Sequence, residues 1–197
     1  MTARTTAPGK EALLDVAYDL FVQRSYAEVS MQEIAEAAGM TKGAPYYHFK
    51  NKDDLFLQVF NREVDRLLAG FVSCLNDDAP FPERLRAAVI FALESTKGDV
   101  TRLFNDFQHH IAPRIHAGTI DHAHTKADLI TEIVPAFETA AAAGTYSRIK
   151  PEAAARLFMI LTMGEVRAWR FDNILGRESP PAETLADEVV DLLFHGI

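Results

Sequence analysis

From about Lys10 onward the apolar residues of this chain recur every three or four positions, the period of a helix, and no stretch alternates as a strand would. Leu13, Val16, Ala17, Leu20 and Phe21 make one face of a first helix over about 10–23. Ser30-Met31-Gln32-Glu33 has the S-x-x-E form of a capping box, so a second helix starts there, with Ile34, Ala35 and Ala38 as its apolar face. Gly39 supplies the positive φ that ends it, and Thr41 is placed to cap a short third helix over about 42–49. That helix is too short to be stable unless packed against its neighbours. Asn51-Lys52-Asp53-Asp54 opens a fourth, with a cap and early acids, running to about Leu75. Five more are expected at about 82–97, 100–112, 121–143, 151–173 and 181–195, with Pro82, Pro151 and Pro181 in first turns. Pro135 should kink or split the 121–143 segment, while Gly98, Gly144 and the run 176–181 mark stops. The pattern predicts an all-α chain of about nine helices, with a three-helix domain over 1–51 joined to a larger helical domain over 52–197.

Composition narrows the class. The chain has 197 residues, 48% of them hydrophobic, enough for a sizeable core. Its single cysteine, Cys74, excludes an internal disulfide framework and fits a reducing compartment. No apolar run reaches the roughly 18 residues of a membrane span, and MTARTTAPGK lacks the apolar core of a signal peptide. A cytoplasmic protein without membrane association is expected. The net charge is −8, yet residues 1–52 carry six basic and six acidic residues, so the whole excess falls on 53–197. Between Lys42 and Lys52 there are three lysines and no acid. A local positive field of that kind suits nucleic acid, and an acidic remainder discourages indiscriminate binding.

Two short helices joined by a glycine turn, the second small and aromatic on its outer face, form the layout of a helix-turn-helix. If Pro45 and Phe49 face the core, Lys42, Gly43, Ala44, Tyr46, Tyr47 and His48 form the outward arc. Gly43 and Ala44 allow close approach of the helix start to phosphate, and the Ala44 methyl can touch a thymine methyl. Lys42 can reach a phosphate or a guanine edge, while Tyr46, Tyr47 and His48 offer polar groups on stiff stems. Tyr46 is also expected to be partly core. Phe21, Tyr26, Ser30, Ile34, Ala35, Ala38, Gly39, Thr41-Lys42-Gly43, Tyr46-Tyr47-His48-Phe49, Lys52 and Leu55 stand in an ordered series that resembles the TetR family of bacterial regulators. The resemblance covers the first quarter of the chain closely. It implies DNA contacts from Thr41, Lys42, Tyr46, Tyr47, His48 and Lys52, to which the residue chemistry adds Gly43 and Ala44, with double-stranded operator DNA as partner. Pro45 departs from the family pattern, where an aliphatic or aromatic residue is common, and it removes a backbone N–H.

The remaining signals are less specific. Phe104, Phe107 and His110 share a helix face, which fits core packing or a ligand pocket completed by Phe137, Met159 and Met163. The expected effector is small and mainly apolar, and no cofactor is implied. His109, His110, His116, His122 and His124 fall close together, so a metal sensor is an alternative, although no H-x₃-H pair places two imidazoles on one helix face. Gly164 can permit close helix approach, and Leu185, Val189 and Leu192 form an apolar stripe on the last helix. Burial within one subunit explains that stripe equally well, but the resemblance implies a homodimer through the last two helices. No nucleophile–base pattern or phosphate-binding glycine loop supports an enzyme, so an enzyme or carrier on the same all-α fold stands only as a second alternative, and the expected function is a ligand-responsive repressor released from a pseudo-palindromic operator.

Overall fold

The computed structural model describes residues 8–95, 100–119, 129–146 and 148–195; these are helices and their connections, with no strand among them. The helices are α1 (Pro8–Gln23), α2 (Met31–Ala37), α3 (Lys52–Leu75), α4 (Phe81–Ser95), α5 (Val100–Asp106), α6 (Ala112–His116), α7 (Leu129–Ala142), α8 (Pro151–Ile174) and α9 (Ala182–His195). A four-residue 3-10 turn, Ala44–Tyr47, lies between α2 and α3, and a π-helical turn, Phe107–Ile111, joins α5 to α6. The first part of the helix expected at 121–143, with His122 and His124, lies outside the described residues. Among them no helix is long and apolar enough to cross a membrane.

Local signals place several helix ends. Glu33 N–H donates to Ser30 Oγ at 3.2 Å and Ser30 N–H donates to Glu33 Oε2 at 2.8 Å, closing the capping box of α2. Gly39 takes φ 68°, which an L side chain would resist, and lets Met40 N–H reach back to Ala35 O at 2.8 Å. Asn51 Oδ1 accepts Asp54 N–H at 2.9 Å, capping α3. α7 runs through Pro135 without splitting. Proline removes one helical N–H, and this one lies on the exposed side of the helix.

The chain divides into two compact units, and the division differs from the boundary expected at residue 51. The described parts of 8–64 and 100–119 form the first; 65–95 and 129–195 form the second. In the first, Leu13, Ala17 and Phe21 of α1, Ile34 of α2, Phe49, and Leu55, Phe56 and Val59 of α3 are buried with Leu103 and Ile111 from the 100–119 segment. The aromatic centre is edge-on: Phe56 lies 5.0 Å from Phe21 and 5.1 Å from Tyr26 between ring centroids. Phe104 meets Phe60 edge-on at 5.1 Å, and Phe107 stacks on Phe60 at 4.0 Å. The spacing that allowed a pocket here is satisfied by packing within the unit.

In the second unit α4 packs on α9 and α7 on α8. Phe81, Leu85, Val89, Phe137, Phe158 and Met159 are buried in its core, so Phe137 and Met159 also pack within their own unit, whereas Met163 is exposed. Gly70 of α3 is a close approach: a Cβ there would stand 2.1 Å from Phe91 Cζ. One expectation is corrected. Leu185 and Val189, read as interface residues, are buried within this unit because the α9 face that carries them packs against α4. The apolar face left open belongs mainly to α8, where Leu157, Ile160, Gly164 and Phe171 line one side, and Leu175 just after it and Leu192 of α9 are exposed as well.

Candidate nucleic-acid interface

Residues 41–49 form a shorter structure than the helix expected over 42–49. Ala44 N–H donates to Thr41 O at 2.9 Å, Tyr46 N–H to Gly43 O at 3.2 Å and His48 N–H to Pro45 O at 3.0 Å, all with three-residue spacing. Pro45 has no N–H to offer Thr41 O, so the tighter pattern takes over. The Thr41 carbonyl serves that first turn; no side chain caps it, contrary to the expected role of the Thr41 hydroxyl. Pro45 and Phe49 are buried as the spacing predicted, which turns the other side chains outward.

Thr41, Lys42 and Gly43 are exposed, and Ala44 and His48 are half-buried. Tyr46 is 57% and Tyr47 88% exposed, so the expectation that Tyr46 is partly core fails. They are the only large apolar side chains left exposed among the described residues of this unit. Two tyrosines side by side, beside Lys42 and Lys50 and supported by buried Pro45 and Phe49, make a stiff amphipathic surface rich in donors. A Cβ added to Gly9 would lie 3.6 Å from His48 Nε2, so the imidazole sits over the first turn of α1. Lys10 Nζ lies 5.7 Å from the Phe49 ring centroid, bringing to the end of the turn a cation that the sequence reading did not single out.

Lys52 is engaged internally. Its Nζ donates to Tyr26 O at 2.9 Å and Val29 O at 3.1 Å and sits 4.2 Å above the Tyr26 ring. Burial pushes its pKa down, against the pull of Asp53 and Glu33. Its position at the start of α3 makes it a brace between that helix and the α1–α2 connection, a role that no local spacing marks. Tyr26 is held at every polar group. Its N–H donates to Asp106 Oδ2 at 2.7 Å, and its hydroxyl donates to Asp53 Oδ1. Burial, then the Asp53 hydrogen bond, drives the phenol pKa upward, so the hydroxyl stays a donor. Arg114 completes the cluster with a two-pronged contact, Nη1 to Asp53 Oδ1 and Nη2 to Asp53 Oδ2, both 2.6 Å. At the start of α2, hydrogen bonds from Arg24 and Ser30 hold the Glu33 carboxyl pKa at about 2.

Comparisons with known proteins fit this arrangement. Residues 13–59 match the model of "Bacterial regulatory proteins, tetR family", a span covering both helices and the turn between them. Over this stretch, about a quarter of the chain, it is similar to the TetR family. The transcriptional activator FasR of Mycolicibacterium smegmatis is 43% identical over 77 residues, which are 39% of this chain and 35% of the relative. The regulator AcrR of Shigella flexneri is 42% identical over 91 residues, 44% of this chain and 41% of that protein. The chain thus matches less than half the length of these relatives. A solved structure, AibR in complex with isovaleryl coenzyme A and operator DNA, aligns over 94% of this chain and 98% of its own, with TM-score 0.60 and 25% identity.

Of the residues read as ligand or metal contacts, Phe104, Phe107 and His110 lie in the first unit, and Phe137, Met159 and Met163 in the second. His110 Nε2 lies 3.8 Å from Asp106 Oδ1, and its ring centroid is 5.5 Å from that of Tyr26. Among the described residues no group of three or more His, Cys, Asp or Glu is arranged to hold a metal ion.

Proposed function

We propose that this chain is a ligand-responsive transcriptional regulator that binds a pseudo-palindromic operator as a homodimer and represses until a small molecule releases it. The observation that carries the reading is the exposed pair Tyr46–Tyr47 on a turn seated by buried Pro45 and Phe49, within the span that matches the family. Thr41, Lys42, Gly43, Ala44, Tyr46, Tyr47 and His48 then meet DNA, the lysine on phosphate and the tyrosines at base edges. Lys52 acts from behind as a brace. Two copies joined along the open α8 face would present two such turns to two half-sites.

The effector we propose has a mainly apolar body taken up in the second unit, around Phe137 and Met159. AibR binds isovaleryl coenzyme A, which makes acyl thioesters of coenzyme A the first compounds to titrate. The acidic balance of 53–197 opposes a polyphosphate, so the free acids belong beside the thioesters. The test is selection of duplexes from genomic DNA by the full chain, followed by release with each compound and by divalent zinc. A selected inverted repeat released by an acyl compound supports the reading. No selected sequence overturns it, and release by zinc alone moves the effector to the histidines of 109–124. A reporter carrying the selected repeat fixes the sign of control, since FasR is named an activator.

A further inference from the structure

Two buried carboxylates, Asp53 at the start of α3 and Asp106 at the end of α5, converge on Tyr26, and an arginine of α6 closes on one of them. We propose that Arg114, far outside the helix-turn-helix, is a positioning residue for DNA reading, holding the start of α3 and hence the 44–47 turn in its working pose. The proposal rests on the DNA-binding reading above.

The geometry leads there in three steps. First, the turn and α3 are one continuous piece: Phe49 is buried, Asn51 caps α3, and Asp53 follows in its first turn. A shift of the α3 start is therefore a shift of Tyr46 and Tyr47. Second, polar contacts tie the α3 start to the α1–α2 connection: Lys52 takes the Tyr26 and Val29 carbonyls, and Asp53 takes the Tyr26 hydroxyl. Third, the carboxylate in that knot needs a counter-charge. Asp53 is 12% exposed at its side chain, and the facing cation is the guanidinium of Arg114, which meets both oxygens at 2.6 Å. Lys52, its chain neighbour, has turned to the carbonyls. Remove Arg114 and a buried carboxylate remains with a phenol hydroxyl as its main partner. Such a group recovers its solvation by drawing in water or moving outward. Asp106 holds the same residue from α5, so the 100–119 segment as a whole braces the reading head, which is why it packs in the first unit.

Base-edge contacts are lost with displacements of a fraction of an ångström, while phosphate contacts tolerate them. Arg114 therefore governs discrimination more than affinity for DNA in general. The experiment measures binding of the full chain to a selected operator duplex and to a scrambled duplex of equal length, across a salt series, for wild type, Arg114→Gln, Arg114→Lys, Asp53→Asn and the Asp53→Asn/Arg114→Gln pair. Helicity and melting are recorded for each. Arg114→Gln is expected to lose about tenfold or more on the operator and less than about twofold on the scrambled duplex, with the operator salt slope unchanged. Arg114→Lys, a point charge that reaches one oxygen well, recovers part of the loss. The pair is no weaker than the worse single variant. Equal loss on both duplexes with a slope lower by about one makes Arg114 a phosphate contact and overturns the proposal. Additive losses, or an unchanged operator affinity, overturn it too. Should Arg114→Gln not fold, Arg114→Lys carries the comparison, and parity with wild type on both duplexes refutes the role. A wild-type chain that selects no duplex sinks the regulator reading itself, an outcome distinct from the others.

Discussion

Ile160→Glu should convert the proposed dimer to monomer without unfolding the chain. Ile160 is 61% exposed on α8, in line with Leu157 at 46% and Phe171 at 57%, and Gly164 between them leaves room for a partner helix. Full burial of an aliphatic side chain is worth roughly 1.5–3 kcal/mol, so covering the open part of Ile160 contributes about 1–2 kcal/mol per copy. A two-fold axis places the residue twice, and glutamate adds the cost of an unpaired ion at the centre of the interface, several kcal/mol. The sum of these losses is at least about 4 kcal/mol, or about a thousandfold in the dissociation constant. Sedimentation equilibrium at micromolar protein is the assay, with circular dichroism as control. Val189→Glu is the contrast: Val189 is 1% exposed inside its own unit, so that variant should lose helicity before any question of assembly arises. A dimer untouched by Ile160→Glu, or a Val189→Glu chain that folds and falls apart into monomers, would refute the assignment of the α8 face.

Three further predictions follow from single contacts. Gly70→Ala should destabilise the wild-type chain by about 1–2 kcal/mol, because its Cβ would meet Phe91 Cζ at 2.1 Å, yet stabilise a Phe91→Ala chain by up to about 1 kcal/mol through helix propensity; thermal melts of the four variants show whether the sign reverses. Glu33 has its folded pKa depressed to about 2 from 4.5, so its contribution is present above pH 4.5 and lost as pH falls through 2; Glu33→Gln should flatten stability against pH in that window, and parallel wild-type and mutant curves would refute the pairing with Arg24 and Ser30. Lys52→Met strips the Tyr26 and Val29 carbonyls of a donor and should cost about 1–2 kcal/mol of stability while leaving the salt dependence of DNA binding unchanged, where a phosphate contact would lower its slope by about one.

What the sequence disclosed, and what it hid, divides by range. The capping box at Ser30–Glu33, the Gly39 stop and the Asn51 cap are set within a few residues, and all three stand in the structure. The burial of Pro45 and Phe49 follows from their spacing. An apolar stripe, however, says only that a face is covered: Val189 is covered by α4 of its own chain, and the Phe104–Phe107 face by Phe60. The Asp53–Arg114 contact spans 61 residues between two polar side chains that no periodicity marks. Lys52 stands beside the 44–47 turn, yet its ammonium turns inward to backbone carbonyls 23 and 26 residues away, which no local pattern marks. Tyr46, expected both on the outward arc and partly in the core, is 57% exposed on the 3-10 turn that contains Pro45.

The central claim is that the 44–47 turn reads base sequence, and Tyr47→Ala tests it most directly. Tyr47 is 88% exposed, so its truncation removes almost nothing from the core and should leave helicity and melting unchanged. A base-edge contact is worth about 1–3 kcal/mol of discrimination. Anisotropy titration on a selected operator and a scrambled duplex should therefore show a loss of about tenfold or more on the operator and none on the scrambled duplex. Wild-type affinity on both duplexes, for Tyr47→Ala and again for Tyr46→Ala, would contradict the account.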